Sequence, residues 1–188
     1  MELPHAPAST TAVPLRRALK LPRVGQIGCV VHDVDRAVAY YRETFGLGPW
    51  LMVEPRQSTC SVRGQPVEAR LKFALAYSGR VQLELIQVLQ GETLHTEALR
   101  ESGEGLHHLG FFVPNLEKRL TVCRQRGIEI LQQGTIKHLG LTIDYAYLDT
   151  VAIGGVLVEL IQSRFGKLPI GMPSWLHRIV VALEKVRR

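Results

Sequence analysis

The chain repeats itself, and this repeat constrains the fold more than any other feature of its 188 residues. Gln26-Ile27-Gly28 opens the first half, and His108-Leu109-Gly110 opens the second half in the same pattern of a polar residue, an apolar residue and a glycine. Residues 81–87 (VQLELIQ) close the first half, and residues 156–162 (VLVELIQ) close the second. A period this long exceeds that of any solenoid repeat, so the chain is predicted to fold as two fused modules of like structure.

Each half carries the same predicted order of elements. After the first strand, Asp33 is predicted to cap a helix whose apolar residues follow at helical spacing, and Gly46 stands where that helix ends. The second half repeats the pattern with Asn115 as the cap and Gly127 as the stop. Three strands are predicted after each helix, and residues 93–100 form a short helix between the halves. The predicted fold class is therefore α+β, with two βαβββ modules.

The predicted parts of the chain follow from this order. The first part is a flexible arm, because four prolines and a Ser-Thr-Thr run discourage regular structure. The last part is a helical tail, because apolar residues from Trp175 to Val186 recur at helical spacing. This tail is expected to pack on the body or on a second subunit. The boundaries are an arm at 1–22, the first module at 23–88, a connector at 89–104, the second module at 105–163 and the tail at 164–188.

Composition argues against several classes of protein. No apolar run approaches the roughly 18–20 residues that a membrane helix requires, and the first residues lack the apolar core of a secretory signal. Three cysteines without a C-x-x-C pair are typical of a reducing cytosol. Much of the excess behind the net charge of +6 lies near the two ends, and no nucleic-acid motif accompanies it. We therefore expect a cytoplasmic protein with neither a nucleic-acid nor a membrane partner.

Four polar residues stand inside the predicted strands of the repeat. Gln26 and His108 lie on the opening strands, and Glu84 and Glu159 lie in the middle of the apolar closing strands. A carboxylate is costly to bury unless a positive group meets it. Two carboxylates, an imidazole and an amide oxygen make a mixed ligand set for a divalent cation, so the four are predicted to surround one metal ion, with solvated strand faces as the alternative. His107 is expected to point away from His108, because neighbouring strand residues face opposite sides.

The pattern resembles the vicinal oxygen chelate superfamily, which includes glyoxalase I, methylmalonyl-CoA epimerase, extradiol dioxygenases and antibiotic-resistance proteins. The resemblance covers residues 24–163 and is most specific at residues 105–110 (GLHHLG), at 145–150 (YAYLDT) and in the two closing strands. It implies that the paired modules form a cupped mixed sheet around one metal ion, here followed by an extra C-terminal helix. The family's ligand positions fall on the first and last strands of each module, which here carry Gln26, Glu84, His108 and Glu159, as in eukaryotic-type glyoxalase I.

The resemblance also implies a mechanism. The metal, which could be Zn, Ni, Co, Mn or Fe, binds the oxygen of a small carbonyl compound or acyl thioester and acts as a Lewis acid. A carboxylate takes the proton of the neighbouring carbon, so that an enolate forms. Glu159 is predicted to be this base, with Glu84 as its partner across the substrate. Tyr145 or Tyr147 is expected to hydrogen-bond the substrate and Trp50 to form an apolar wall, with simple packing as the alternative for all three.

Two functions from different classes remain open. One is a metal-dependent isomerase, epimerase or lyase, which is favoured because all four ligand positions carry ligating side chains. The other is a non-catalytic protein that uses the same cup to sequester a small aromatic or drug-like ligand. The positions at which glyoxalase I holds glutathione carry Val30, Val88 and Glu104, which disfavours glutathione as the substrate. Since members of the family often complete their cups by pairing modules within a chain or between chains, and the tail adds a further apolar stripe, a homodimer is also expected.

Overall fold

In a computed structural model, the residues described are 14–55, 57–138, 140–152, 155–166 and 168–170. They form a single curled mixed sheet flanked by helices. The strands are β1 Gln26–Val30, β2 Leu51–Val53, β3 Gln57–Val62, β4 Gln65–Pro66, β5 Arg70–Ser78, β6 Val81–Gln90, β7 Gly105–Phe112, β8 Ile130–His138, β9 Leu141–Leu148, β10 Leu157–Phe165 and β11 Leu168–Pro169. The helices are α1 Leu15–Ala18, α2 Val34–Phe45, α3 Leu94–Ser102 and α4 Leu116–Gln125.

The order of strands in the sheet displays the internal repeat. The first module is ordered β2-β5-β6-β1, and the second continues as β7-β10-β9-β8. In each module the first strand pairs in parallel with the last, β1 with β6 and β7 with β10. The modules join where β1 and β7 pair antiparallel at the centre. The predicted α+β fold, two βαβββ modules in one cupped mixed sheet, is confirmed; the predicted helix at the end of the tail falls within 171–188, outside the described residues.

The two module helices begin in different ways. Asp33 caps α2 as predicted, since its carboxylate accepts hydrogen bonds from the backbone N–H groups of Asp35 and Arg36. At α4 the predicted cap differs, because the Asn115 side chain accepts no capping hydrogen bond. In both helices a glutamine side chain also accepts a hydrogen bond from the backbone at the helix start. The last residue of each repeated closing motif, Gln87 or Gln162, accepts from the first backbone N–H of its module's helix, at 3.1 and 2.6 Å respectively.

A hairpin that the sequence does not predict adds to the second module. Strands β3 and β4 come in addition to the three strands predicted after the helix, and β3 pairs antiparallel along β8. The first module thus contributes a strand to the outer edge of the second and so links the two ends of the curled sheet. Gly134 permits this pairing, because a Cβ there would lie 2.1 Å from the Thr59 carbonyl oxygen. The polar sequence of β3 (QSTCSV) carries no apolar alternation by which to recognise it.

Part of the predicted flexible arm is also ordered. Residues 1–13 lie outside the described residues, but α1 forms at 15–18 and the following Leu19 is 1% exposed. Leu19 packs into the cluster that α4 makes with the outer face of the second module, beside Leu120. Burial of Leu19 therefore holds the last residues of the arm against the second module, despite the prolines nearby.

The sheet has two faces with different contents. On the convex face of the first module, α2 packs on the apolar cluster around Val34 and Leu85. On the concave face, the connector helix α3 lies inside the cup, where Ala98 and Leu99 pack against the cluster of Val30, Leu51, Val53, Phe73 and Ile86. Among the residues that the structure describes, no helix combines the length and the apolar composition needed to cross a membrane. The concave face thus has an apolar region under α3. Beside it lies a group of buried polar side chains around His108, called the polar patch below.

Candidate metal centre

The polar patch is built on four adjacent strands at the centre of the sheet. Glu84 lies on β6, Gln26 on β1, His108 on β7 and Glu159 on β10, and these strands follow one another in the sheet. All four side chains lie on the concave face, because side chains alternate along a strand and their apolar neighbours, such as Leu85, pack on the convex face. The four predicted ligand positions are therefore brought together by the pairing of β1 with β7.

The Nε2 atom of His108 is the centre of this group. It lies 3.1 Å from Glu159 Oε2, 3.3 Å from Gln26 Oε1 and 3.4 Å from Glu84 Oε2. The ligand atoms of Glu84, His108 and Glu159 lie within 4.8 Å of one another. The side chain of His108 is fully buried, and the side chains of Glu84 and Glu159 are 12% and 6% exposed. One nitrogen and three oxygens thus converge where little water reaches.

The buried groups of the patch shift one another's pKa values. Burial alone would lower the pKa of His108, but Glu159 and Glu84 outweigh it and raise that pKa to about 10. Burial raises the pKa of Glu84, and the hydrogen bond from His108 only partly offsets this. Without a metal, the positively charged form of His108 is therefore favoured between Glu159 and Glu84. The donor set fits a divalent cation, since it offers two anionic groups, a ring nitrogen and an amide oxygen, and the buried Glu159 Oε2 has no well-oriented hydrogen bond.

Gln26 is oriented by a residue for which the sequence offers no separate signal. Its amide nitrogen donates a hydrogen bond of 2.9 Å to Gln82 Oε1, which leaves its own oxygen facing His108. Gln82 in turn donates to the hydroxyl of Tyr77 at 3.3 Å. Both glutamines are buried. Gln82 precedes Glu84 by two residues, so strand alternation places it on the same face, but nothing in its own motif marks it as a partner of Gln26.

The expectation that His107 points away from His108 is wrong. The pairing of β1 with β7 shifts register so that Gly28 is opposite His108 and Cys29 is opposite Leu106, which leaves His107 as the extra residue of a β-bulge. His107 is therefore also buried, and its Nδ1 lies 3.1 Å from Nδ1 of His108. Burial and then the charge of His108 lower the pKa of His107 to about 3, so this ring is neutral.

A third histidine, which the sequence does not predict, completes the polar patch. His95 stands in the first turn of α3 and is 1% exposed. Its ring packs on that of His107 with centroids 4.6 Å apart. Its Nε2 lies 3.1 Å from the hydroxyl of Tyr147, and its Nδ1 lies 3.3 Å from Thr93 Oγ1. The connector has no counterpart in the repeat, so the comparison of the two halves carries no signal for this residue.

The three predicted substrate contacts have different surroundings. Tyr147 faces the patch, where its hydroxyl contacts His95 and interacts with Glu159. The hydroxyl of Tyr145 interacts with Cys60 and Gln132, and its ring lines a cavity of about 30 Å³ between β3 and β5. For Trp50 the structure corrects the prediction. Its ring packs beside Tyr41 of α2, with centroids 6.2 Å apart, in the cluster on the convex face, so the sheet separates it from the patch.

Comparison with known proteins agrees with this architecture. The family model of the Glyoxalase/Bleomycin resistance protein/Dioxygenase superfamily matches residues 25–147. The chain is 27% identical over 143 residues to the uncharacterized protein YqjC of Bacillus subtilis (strain 168), an alignment that covers 76% of this chain and 93% of that protein. The family match spans the central pairing of the two modules and includes Gln26, Glu84 and His108.

Solved structures share the fold at low sequence identity. The hypothetical protein BH1468 from Bacillus halodurans C-125 superposes with a TM-score of 0.53 at 19% identity, over 74% of this chain and 92% of that one. A variant of Streptomyces coelicolor methylmalonyl-CoA epimerase, in complex with 2-nitronate-propionyl-CoA, superposes with a TM-score of 0.53 at 23% identity, over 75% and 96% of the two chains. At these identities the similarity establishes the fold.

Proposed function

Since the chain belongs to the Glyoxalase/Bleomycin resistance protein/Dioxygenase superfamily, we propose that it is a divalent-metal-dependent isomerase, epimerase or lyase. Its substrate is a small carbonyl compound or acyl thioester, from which it removes the proton on the carbon next to the carbonyl group. The observation that carries this proposal is the convergence of Glu84, His108 and Glu159 within 4.8 Å, in a buried patch that also holds the amide oxygen of Gln26.

In this proposal Gln26, Glu84, His108 and Glu159 hold the ion. A divalent ion such as Zn, Ni, Co, Mn or Fe supplies Lewis-acid polarisation of the substrate carbonyl when bound. Glu159 acts as the base that takes the α-proton, and Glu84 faces it from the other module. Because the two carboxylates stand on strands to either side of β1 and β7, they are placed to take a proton on one side of the substrate and to return it on the other.

The burial of the patch supports proton abstraction. A carboxylate with little water around it is a stronger base than one in solution, because burial disfavours its charged form. Burial raises the pKa of Glu84, which suits a group that must bring a proton to the substrate from the side opposite Glu159. The hydroxyl of Tyr147 interacts with the carboxylate of Glu159. Tyr147 is thereby placed to orient this carboxylate, or a substrate oxygen next to it.

An acyl thioester is the favoured substrate within this class. The Streptomyces coelicolor epimerase variant with the same fold holds 2-nitronate-propionyl-CoA. The α-carbon of an acyl group bound in this way would lie next to the carboxylates of Glu84 and Glu159.

Solvent exchange at the α-carbon tests the proposal without knowledge of the natural substrate. The metal-free protein is loaded with Zn, Co, Ni or Mn and offered 2-substituted acyl thioesters and α-hydroxycarbonyls in deuterated water. We expect at least one compound to gain deuterium at the α-carbon, and we expect a chelator to stop the exchange. If the protein binds metal but exchanges no compound in the panel, the proton-abstraction function is wrong.

The second candidate function is the sequestration of a small aromatic or drug-like ligand. The description of the matching family favours it, because that superfamily includes bleomycin resistance proteins as well as enzymes. Calorimetry with a panel of aromatic compounds, before and after treatment with a chelator, separates the two functions. Binding that is unchanged by the chelator and unaccompanied by deuterium exchange would favour sequestration.

A further inference from the structure

The imidazole of His108 faces hydrogen-bond acceptors on one side and a second imidazole on the other. Its Nε2 points at the oxygens of Glu159, Gln26 and Glu84. Its Nδ1 lies 3.1 Å from Nδ1 of His107. Two facing ring nitrogens form a hydrogen bond only when one of them carries the proton and the other offers a lone pair. The direction of this hydrogen bond therefore fixes which nitrogen of each ring is protonated.

The direction of the hydrogen bond between the two histidines is fixed once Nε2 of His108 binds a cation. An imidazole that binds a cation through the lone pair of Nε2 carries its only proton on Nδ1. The Nδ1–H group of His108 must then donate, and Nδ1 of His107 must accept. Resting on the proposed metal-dependent function, we propose that His107 is a positioning residue, whose Nδ1 accepts a hydrogen bond from His108 and keeps the Nε2 lone pair of His108 directed at the point between the ligand oxygens where the ion would lie.

The backbone places His107 in this role. His107 is the extra residue of the bulge in β7, so it remains buried next to His108 instead of facing the convex side. Ordinary strand alternation would have put the two rings on opposite faces of the sheet. A bulge at a ligand position is a common means of redirecting a side chain near a site. Here it adds a neighbour to His108 without displacing His108 from the patch.

The connector helix holds His107 in turn. The ring of His95 packs on the ring of His107 with 31° between their planes. His95 is itself fixed at both nitrogens, by Thr93 Oγ1 at 3.3 Å and by the hydroxyl of Tyr147 at 3.1 Å. Tyr147 also interacts with Glu159. His107 and His95, with Tyr147, therefore form a second layer that braces two of the four proposed ligands, and α3 supplies one member of this layer.

The proposed hydrogen-bond acceptor, the imidazole of His107, differs from the usual partner of a ligating histidine. Ligating histidines usually donate their second N–H to a carboxylate, a backbone carbonyl or a water molecule. An uncharged imidazole accepts the hydrogen bond without adding negative charge to a patch that already holds Glu84 and Glu159. Loss of such a partner typically lowers metal affinity by about 10–100-fold. We expect a loss of this size when the acceptor at position 107 is removed.

Two substitutions of His107 separate the hydrogen bond from the packing. His107→Asn keeps an acceptor, because the side-chain oxygen of asparagine can stand where Nδ1 stands, whereas His107→Leu fills the space without one. His32→Leu, at an exposed histidine outside the patch, is the control for removal of an imidazole. Affinity for Co(II) is measured by competition with a chelator, and the visible spectrum of the bound Co(II) reports its ligand geometry. Thermal unfolding of the metal-free forms checks that each variant folds.

We expect His107→Leu to lose about 10–100-fold in Co(II) affinity and to change the spectrum, while His107→Asn and His32→Leu retain both. Equal affinity and spectra for the leucine and asparagine variants would overturn the inference. If the leucine variant does not fold, nitrogen NMR of the Zn-loaded wild-type protein decides, because a proton on Nδ1 of His107 contradicts the inference. A wild-type protein that takes up no metal would overturn the proposed function and this inference together, which distinguishes that result from the others.

Discussion

Gly28 of β1 lies directly opposite His108 of β7, and a Cβ added at Gly28 would stand 1.9 Å from Cε1 of the imidazole. The relationship is reciprocal, because Gly110 of β7 lies opposite Gln26, where a Cβ would stand 2.7 Å from the amide oxygen. Each module therefore supplies one polar side chain and, two residues later, the glycine that leaves space for the side chain of the other module. The repeated triplets QIG and HLG are two halves of one arrangement.

The first prediction concerns this space. Gly28→Ala should displace the His108 ring from the patch, because no L side chain fits at 1.9 Å from it. We expect Co(II) affinity to fall sharply and the free energy of unfolding to fall by about 1–3 kcal/mol, as overpacking typically causes. The control is Gly46→Asn, at a left-handed helix end with nothing within 4 Å of an added Cβ. A Gly28→Ala protein with unchanged Co(II) affinity would show that His108 is not a ligand.

The second prediction separates the two carboxylates. Glu159→Gln keeps an oxygen at the ligand position but loses the proton acceptor, so metal should bind more weakly yet still bind. The rate of α-deuterium exchange should fall by about 10²–10⁴, the usual contribution of a general base. Glu84→Gln is the matched variant on the other module. If Glu84→Gln abolishes exchange and Glu159→Gln leaves the rate unchanged, the roles assigned to the two carboxylates must be interchanged.

The third prediction is a pH dependence of the metal-free protein. The pKa of His108 is raised from 6.5 to about 10 in the folded state, because Glu159 and Glu84 outweigh the effect of burial. Its contribution to the free energy of unfolding is therefore fully present below about pH 6.5 and is lost as the pH rises through about 10. A metal competes with the proton on Nε2, so metal affinity should rise over the same range.

Urea unfolding of the metal-free protein between pH 6 and pH 10 measures this effect. Wild type is compared with His108→Gln, because other groups that titrate in this range are common to both proteins. We expect the difference in the free energy of unfolding between the two proteins to change steadily across the range. A difference that is independent of pH would show that folding does not shift the pKa of His108.

The fourth prediction concerns assembly and the C-terminal tail. We propose that the protein is a homodimer of its 21.0 kDa chain. Phe165 and Leu168, which precede the apolar stripe of the tail, are 58% and 70% exposed in the single chain. Light scattering at micromolar concentration should report twice the mass of the chain, and deletion of residues 173–188 should weaken the dimer or expose apolar surface to a fluorescent dye. A monomer at all concentrations would contradict this prediction.

Much of the fold follows from patterns that are local in the sequence. The helix of the first module, from the Asp33 cap to the Gly46 stop, is set by residues within one short segment. The strands that carry Glu84 and Glu159 are recognisable because apolar residues flank each carboxylate, and the repeat aligns Gln26 with His108. These are short-range signals, and a period of two along each strand predicts that each of the four side chains lies on the face opposite to its apolar neighbours. Their role as metal ligands stays a prediction.

Other features depend on contacts between distant segments and have no local signature. The pairing of β3 with β8 brings together residues about 75 positions apart, and the polar strand β3 gives no sign of its partner. The convex position of Trp50 depends on how β2 joins the sheet edge, since the same residue type could pack on either face. The capping of α2 by Gln87 likewise requires that the last strand of the module end beside the first turn of its helix.

The amino-acid sequence by itself determined the two modules, their element order and the identity of the four converging side chains, because these depend on periodicity and on the repeat. Only the tertiary structure decided what surrounds them. The bulge that turns His107 toward His108 arises from the register between β1 and β7, and His95 reaches the patch because α3 packs inside the cup. Register and packing are set by long-range pairing, whose energy is shared among many contacts and is written in no single segment of the chain.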